Sequence, residues 1–308
     1  MKQKGKEGLA YLCVLSAATL WGAIGISVRY VAGFGLSSIQ SACFRIFVTT
    51  LSLFLYIVLT DVSKLRIHPR DIKYFLGSGI LSILLNNVCY AVSVQVNSLS
   101  TAAILLYTSP FIVVVLAHIF FKEKLTIQKV TALIIGFGGC IMTIGLGMFT
   151  EHALTPTGLF AGLGSALGYA LYNLFTKVLV KKYHTLTAAF YTFLFAFVGI
   201  LFFASPMKIV ERIVEMPQRI PLAALSAVLT SALPYLLFPV ALRYMESGKA
   251  SIAATFEVAA SSIFGFVLYQ EKLGVMNLVG IFMIVVAIIT LNLPEKTNCN
   301  KNSIDKHK

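Results

Sequence analysis

Ten stretches of roughly 20 predominantly apolar residues follow one another along the chain, at about 9–31, 38–59, 74–96, 101–120, 127–148, 157–179, 186–204, 220–242, 250–268 and 274–293. Each has the length an α-helix needs to cross a hydrocarbon core about 30 Å thick. In lipid no water is present to satisfy an open backbone, so a spanning segment of this kind must be helical. Composition agrees: 58% of the 308 residues are hydrophobic and only 12% charged, against about 25% charged in a soluble domain. The expected fold is an all-α membrane protein with ten transmembrane helices.

The net charge of +13 would suit a nucleic-acid partner if the cations formed one patch. They are instead divided among the connections between runs. With the N-terminus in the cytoplasm, the inner connections and tails hold 19 Lys and Arg and the outer ones 5, with Arg45 inside a run. That imbalance is the positive-inside signature of a multi-pass cell-membrane protein with both termini cytoplasmic, so the partner is the lipid bilayer and not nucleic acid. The five cysteines are scattered and form no CxxC or Cys/His cluster, which supports neither a disulfide framework nor a metal site. Residues 294–308 are polar, with nothing to bury, and are expected to form a disordered tail.

FKEKL at 121–125 returns as YQEKL at 269–273, a shift of 148. In the same gapless register Ser78 meets Ser226, Leu85 meets Leu233 and Ala102 meets Ala250. The chain therefore reads as two five-run halves, 9–148 and 157–293, joined by the short TEHALTP connection. Because five is odd, the second half enters the membrane from the opposite side. Inverted repeats are a recurring architecture of transporters, with the solute site near the midplane between the halves.

The LWG at 20–22, the stretch around Arg45, the Pro110 and EKL of the first half, and TFEVAASSIFGFVLYQEKL in the second resemble the EamA repeats of the drug/metabolite transporter superfamily. Val258 stands after Glu257 where that family usually has Pro. The resemblance covers nearly the whole chain. It implies a secondary transporter of a small metabolite by alternating access, such as an amino acid or an organic cation, and often an exporter in a bacterial membrane.

Ionisable groups inside a run cost roughly 2.5–3.5 kcal/mol to insert at a helix centre, so each is a functional candidate. Arg45 and Glu257 each lie seven residues into a run, roughly 10 Å deep. Arg45 is either an anchor on backbone carbonyls or a solute contact. Glu257 is suited to a solute amine or to a proton. Asn86 and Asn87 match Pro234 and Tyr235 across the repeat, placing amides in one half opposite a helix break in the other. Pro110 and Pro239 are further breaks. Trp21, Tyr90, Tyr107, Tyr169, Tyr172, Tyr235 and Phe256, with Asn173, are candidates to line a cavity that receives amphipathic or cationic solutes. Glu123 and Glu271 read as the start of the fifth and tenth helices, as caps or as gate contacts. Small residues every fourth position in the sixth run, Gly158, Gly162, Ala166 and Ala170, mark a close helix contact.

An enzyme is disfavoured. Asp61, Asp71 and Asp305 lie outside the runs, HExxH is absent, and the glycines of 162–168 miss a nucleotide-binding spacing. No cofactor is implied. A channel would show a ring of like charges or a repeated filter segment. Neither is visible, and a channel or a non-transporting regulatory membrane protein stands as the alternative.

Overall fold

The computed structural model describes residues 2–145 and 155–293. The connection at 146–154 and the tail at 294–308, including the expectation of disorder there, lie outside the described residues. Helices follow the apolar runs in order. The first run forms α1 (Lys2–Gly22) and α2 (Ile24–Ala32), and the second forms α3 (Ser38–Thr60). The third holds α4 (Ile72–Leu76), a π-helical segment (Gly77–Leu84) and α5 (Leu85–Val96). The fourth forms α6 (Leu99–Leu106) and α7 (Ser109–Phe121), and the fifth α8 (Ile127–Ile144). In the second half, α9 (Pro156–Lys182) and α10 (Thr185–Ala204) are followed by the short amphipathic α11 (Pro206–Val214). Then come α12 (Ile220–Ala227), a second π-helical segment (Val228–Ala232), α13 (Pro234–Tyr244), α14 (Ser247–Ala254), α15 (Phe256–Tyr269) and α16 (Val275–Asn292). No strand occurs among the described residues.

Local chemistry sets the helix starts. Ser37, Ser98, Thr126 and Thr155 each accept a backbone N–H with the side-chain oxygen at the start of α3, α6, α8 and α9. Lys122 and Gln270, repeat mates, both end their helices in the left-handed conformation at φ 55°. The chain then runs without regular structure before the next helix begins at Ile127 or Val275. Glu123 and Glu271 therefore do not cap the fifth and tenth helices. Thr126 and Gly274 occupy those positions, because the left-handed residue turns the chain away before a new helix can start.

Nine helical stretches among the described residues are long and apolar enough to cross a membrane. The sixth run, α9, is not one of them, although its 27 residues would extend about 40 Å. Its Gly, Tyr and Asn content lowers its hydropathy. It packs against α5, α6, α7 and α13, so protein covers much of its surface and the apolar requirement is relaxed.

The packing has a two-fold pattern. α1 lies against α13, α14 and α15, and its repeat mate α9 lies against the corresponding α5, α6 and α7. α3 packs on its own mate α10, and α8 on its own mate α16. The α8–α16 crossing brings the two backbones close together. A methyl group placed on Gly280 would sit 2.6 Å from the Gly139 carbonyl oxygen, and one on Gly139 would sit 2.8 Å from that of Gly280. Without a hydrophobic driving force between helices in lipid, such backbone proximity supplies the contact energy. The two π-helical segments also fall within matched positions of the third and eighth runs, and π-bulges often mark functional sites.

Overpacking this crossing should cost about 1–3 kcal/mol. Gly280→Val is expected to lower the melting temperature of the purified protein in detergent by several degrees. Gly25→Ala, where nothing lies within 4 Å of the added carbon, should leave it unchanged.

Candidate functional site: a cavity between two broken helices

The fourth and ninth runs break at the same repeat position. α6 ends at Leu106 and α7 begins at Ser109, while α14 ends at Ala254 and α15 begins at Phe256. Near each break a threonine hydroxyl turns back to a backbone carbonyl, Thr108 to Leu105 at 2.6 Å and Thr255 to Ile252 at 2.7 Å. Pro110 occupies the first turn of α7, where it has no intrahelical donor to lose. These local bonds satisfy backbone that would otherwise be open inside the membrane.

The two breaks face one another across a cavity. Leu106, Tyr107, Ser109 and Pro110 line one side, and Ser251, Ala254, Thr255 and Glu257 the other, with Tyr169 of α9 closing it. Its volume of ≈ 20 Å³ is enough for about one water molecule. Glu257 stands in the first turn of α15, where the positive helix end favours a carboxylate. Tyr107 lines the opposite wall of the same cavity. Tyr169 shares the cavity wall with Glu257, and Cys140 packs with the neighbouring Val258 and Tyr107.

Beside the cavity is an aromatic cluster. The Trp21 ring centroid lies 5.3 Å from that of Tyr235, 6.3 Å from Tyr169 and 5.2 Å from Phe238. Tyr235 in turn meets Tyr172 at 5.1 Å and Phe193 at 4.7 Å. Gly22 brings Trp21 there, because its missing side chain lets α1 approach the Glu257 carbonyl oxygen and Ala260 of α15. Arg45 lies on α3 between Phe44 and Ile46, which pack in the same core as Trp21 and Tyr235. Its Nε and the Thr49 Oγ1 one turn away are buried without a hydrogen-bond partner, as are both amide atoms of Asn173 and the Ser251 hydroxyl. Buried polar atoms are normally paired, so this concentration is unusual.

The structure thus groups Glu257, Tyr107 and Pro110, and separately groups Trp21, Tyr172, Tyr235 and Arg45. Tyr90 stands on α5, and other candidates lie elsewhere. The Asn86 amide donates to the Ser165 carbonyl of α9 at 2.8 Å, and the Asn87 amide to Ile83 within its own run at 2.8 Å. Phe256 packs with the cluster of Cys140, Ala259 and Ile284. Pro234 opens α13 and Pro239 lies buried inside it. Glu123 and Glu271 sit at opposite ends of the molecule, in ion pairs. Sequence reading missed Ser109, Ser251, Thr255 and the role of Gly22. Ser109 was accessible as the repeat mate of Glu257, Thr255 as that of Tyr107, and Gly22 as part of the LWG motif, while Ser251 carries no sequence signal of its own.

Paired helix breaks facing one another within a helical bundle are a recurring feature of membrane transporters. The sequence profile of the EamA-like transporter family matches residues 8–145 and again 156–293. The chain belongs to that family. An uncharacterized transporter of Archaeoglobus fulgidus is 25% identical over 90% of this chain and 93% of its own length. The uncharacterized inner membrane transporter YicL of Salmonella typhimurium is 24% identical, covering 95% and 98%. The uncharacterized transporter YoaV of Bacillus subtilis is 22% identical, covering 89% and 93%. One crystal structure shares the fold with a TM-score of 0.72 and 12% identity, over 92% of this chain and 96% of that one.

Asn86→Leu removes one interhelical hydrogen bond, an interaction worth about 0.6 kcal/mol on average inside membranes. A small fall in melting temperature is expected, with the ligand response of the purified protein intact. Loss of that response at unchanged stability would return Asn86 to the solute site.

Proposed function

We propose that this protein is a secondary carrier that moves a small amphipathic cation, most readily outward, by rocking two inverted five-helix halves around the cavity at the paired helix breaks. The observation that carries the reading is Glu257, a carboxylate inside a run, lining a cavity that adjoins the Trp21–Tyr235 aromatic cluster. A carboxylate attracts an amine, and ring faces attract the same cation through their quadrupoles. The solute enters when the helices separate, since the present cavity is water-sized. Counting α9 as a crossing gives ten helices, which puts both termini on one side, in the cytoplasm by the charge distribution.

One observation favours a zwitterionic solute over a simple amine. Arg45 has no carboxylate partner among the described residues and its Nε is buried and unsatisfied. An amino acid would place its ammonium at Glu257 and its carboxylate at Arg45.

Counterflow of a radiolabelled panel of amines and amino acids in proteoliposomes tests this. Glu257→Gln is expected to abolish counterflow of cationic and zwitterionic solutes at equal pH. Survival of counterflow with loss of pH-driven accumulation would make Glu257 the site of a coupled proton instead. Wild-type accumulation in this variant would remove the carboxylate from both roles. Orientation is tested separately, with single cysteines at positions 64 and 208 of a cysteine-free chain. On intact cells an impermeant thiol reagent should label position 208 and spare position 64, and the reverse pattern would invert the topology.

A further inference from the structure

The repeated EKL motif takes no part in the solute site, yet each copy holds a cation supplied by the other half. Lys177 Nζ lies 3.7 Å from Glu123 Oε1, and Arg29 Nη2 lies 2.8 Å from Glu271 Oε1. Residues 29 and 177 are 148 positions apart, as are 123 and 271. The two ion pairs are therefore repeat copies of one another. They sit at opposite faces: Glu123 meets the start of the Ser247–Tyr269 stretch, and Glu271 follows its end, 23 residues on or about 35 Å along the helix axis.

The copies differ in state. Glu123 accepts the backbone N–H groups of Ser247 at 2.8 Å and Gly248 at 3.2 Å, which fastens it to the N-terminus of α14 one turn above the cavity residue Ser251. Its side chain is 9% exposed and that of Lys177 13%. Lys177 also donates to the Met245 carbonyl, and beside it Lys129 pairs with Glu246 at 2.6 Å. At the other face the repeat mates of Ser247 and Gly248 are Leu99 and Ser100, which begin α6. Ser98 caps that helix instead, through the Thr101 N–H. Glu271 pairs with Arg29, whose guanidinium lies over the Tyr269 ring at 4.3 Å, and both side chains are at least half exposed.

We infer that Glu123 and Glu271 are alternating latches, one per face, each closed when its carboxylate holds the N-terminus of the facing helix, and that the structure shows the Glu123 latch closed and the Glu271 latch open, its carboxylate held by the exposed Arg29. Closure at the second face would carry Glu271 onto the N-terminus of α6, as Glu123 now holds that of α14. The buried latch holds its face firmly because removing one partner strands a desolvated charge, whereas the exposed pair contributes little. This inference rests on the carrier reading and adds the device that sets which face is open.

The test uses the full chain with its native cysteines replaced and a single reporter, Ser251→Cys, in right-side-out and inverted membrane vesicles treated with a small impermeant thiol reagent. Glu123→Gln is expected to raise labelling from the Glu123 face by about tenfold and to lower it from the other face. Glu271→Gln should shift labelling in the opposite sense by about two- to fivefold. Because that residue is exposed, the second variant folds even where the first does not. Reversing the pair, Glu123→Lys with Lys177→Glu, should fail to restore the wild-type ratio between faces, since a lysine at 123 cannot accept the Ser247 and Gly248 N–H groups that close the latch; restoration would overturn the helix-end part of the latch. Shifts of the same sense in both glutamine variants, or no shift in Glu271→Gln, would overturn the latches and leave Glu123 as a cap of α14 and Glu271 as a surface ion pair. Opposite shifts without counterflow of any solute would uphold the latches and sink the carrier reading, and counterflow with shifts of the same sense would do the reverse.

Discussion

A backbone carbonyl or N–H left open in hydrocarbon costs several kcal/mol, and this constraint governs where the helices of this protein can break. The principal interruptions lie where neighbouring helices or local side chains cover them. The π-helical segments are packed against α9 and α10 in one half and against α3 in the other. The breaks at Tyr107 and Thr255 are closed by threonine hydroxyls and face each other across the cavity. Irregular backbone marks the interior, and the candidate site lies where two irregular stretches meet.

Close helix packing makes this geometry possible. Gly22 lets α1 lie against α15 and so delivers Trp21 to the aromatic cluster beside Glu257. Gly168 does the same for α9 over the Asn86 turn of the third run. Where small residues bring backbones together, large aromatic side chains fill the space left beside them. The unsatisfied polar atoms of Arg45, Thr49, Asn173 and Ser251 are then enclosed without partners. Of these only Ser251 lines the cavity, where a solute hydroxyl or amine could satisfy it.

The two faces of the molecule are chemically related but not equal. The Glu123 face carries a second ion pair, Lys129–Glu246, whose repeat mates are Asn277 and Ser98. Two cations and two carboxylates meet at one end, while Arg29 and Glu271 meet at the other. Duplication supplies the same scaffold twice, and divergence of a few charged residues sets how firmly each end holds.

The sequence by itself determined the helical class, the membrane environment and the duplication, because these depend on run length, composition and a register of 148 that any reader can slide. It also located Glu257 and the aromatic residues, since a charge or ring within an apolar run stands out. It held the latch cations as well: Arg29 and Lys177 fall in the same register as Glu123 and Glu271, although that match is visible only once contact gives it meaning. Tertiary structure alone decided that Asn86 bonds Ser165 and that Phe256 packs against Cys140, Ala259 and Ile284 beside Tyr107 without lining the cavity itself. It alone showed that Glu123 caps α14 and not the helix that follows it in sequence. The physical reason is that depth in the membrane can be read from position along a run, but the direction a side chain faces depends on how each helix is rotated against its neighbours, and π-helical segments and breaks reset that rotation partway along the run.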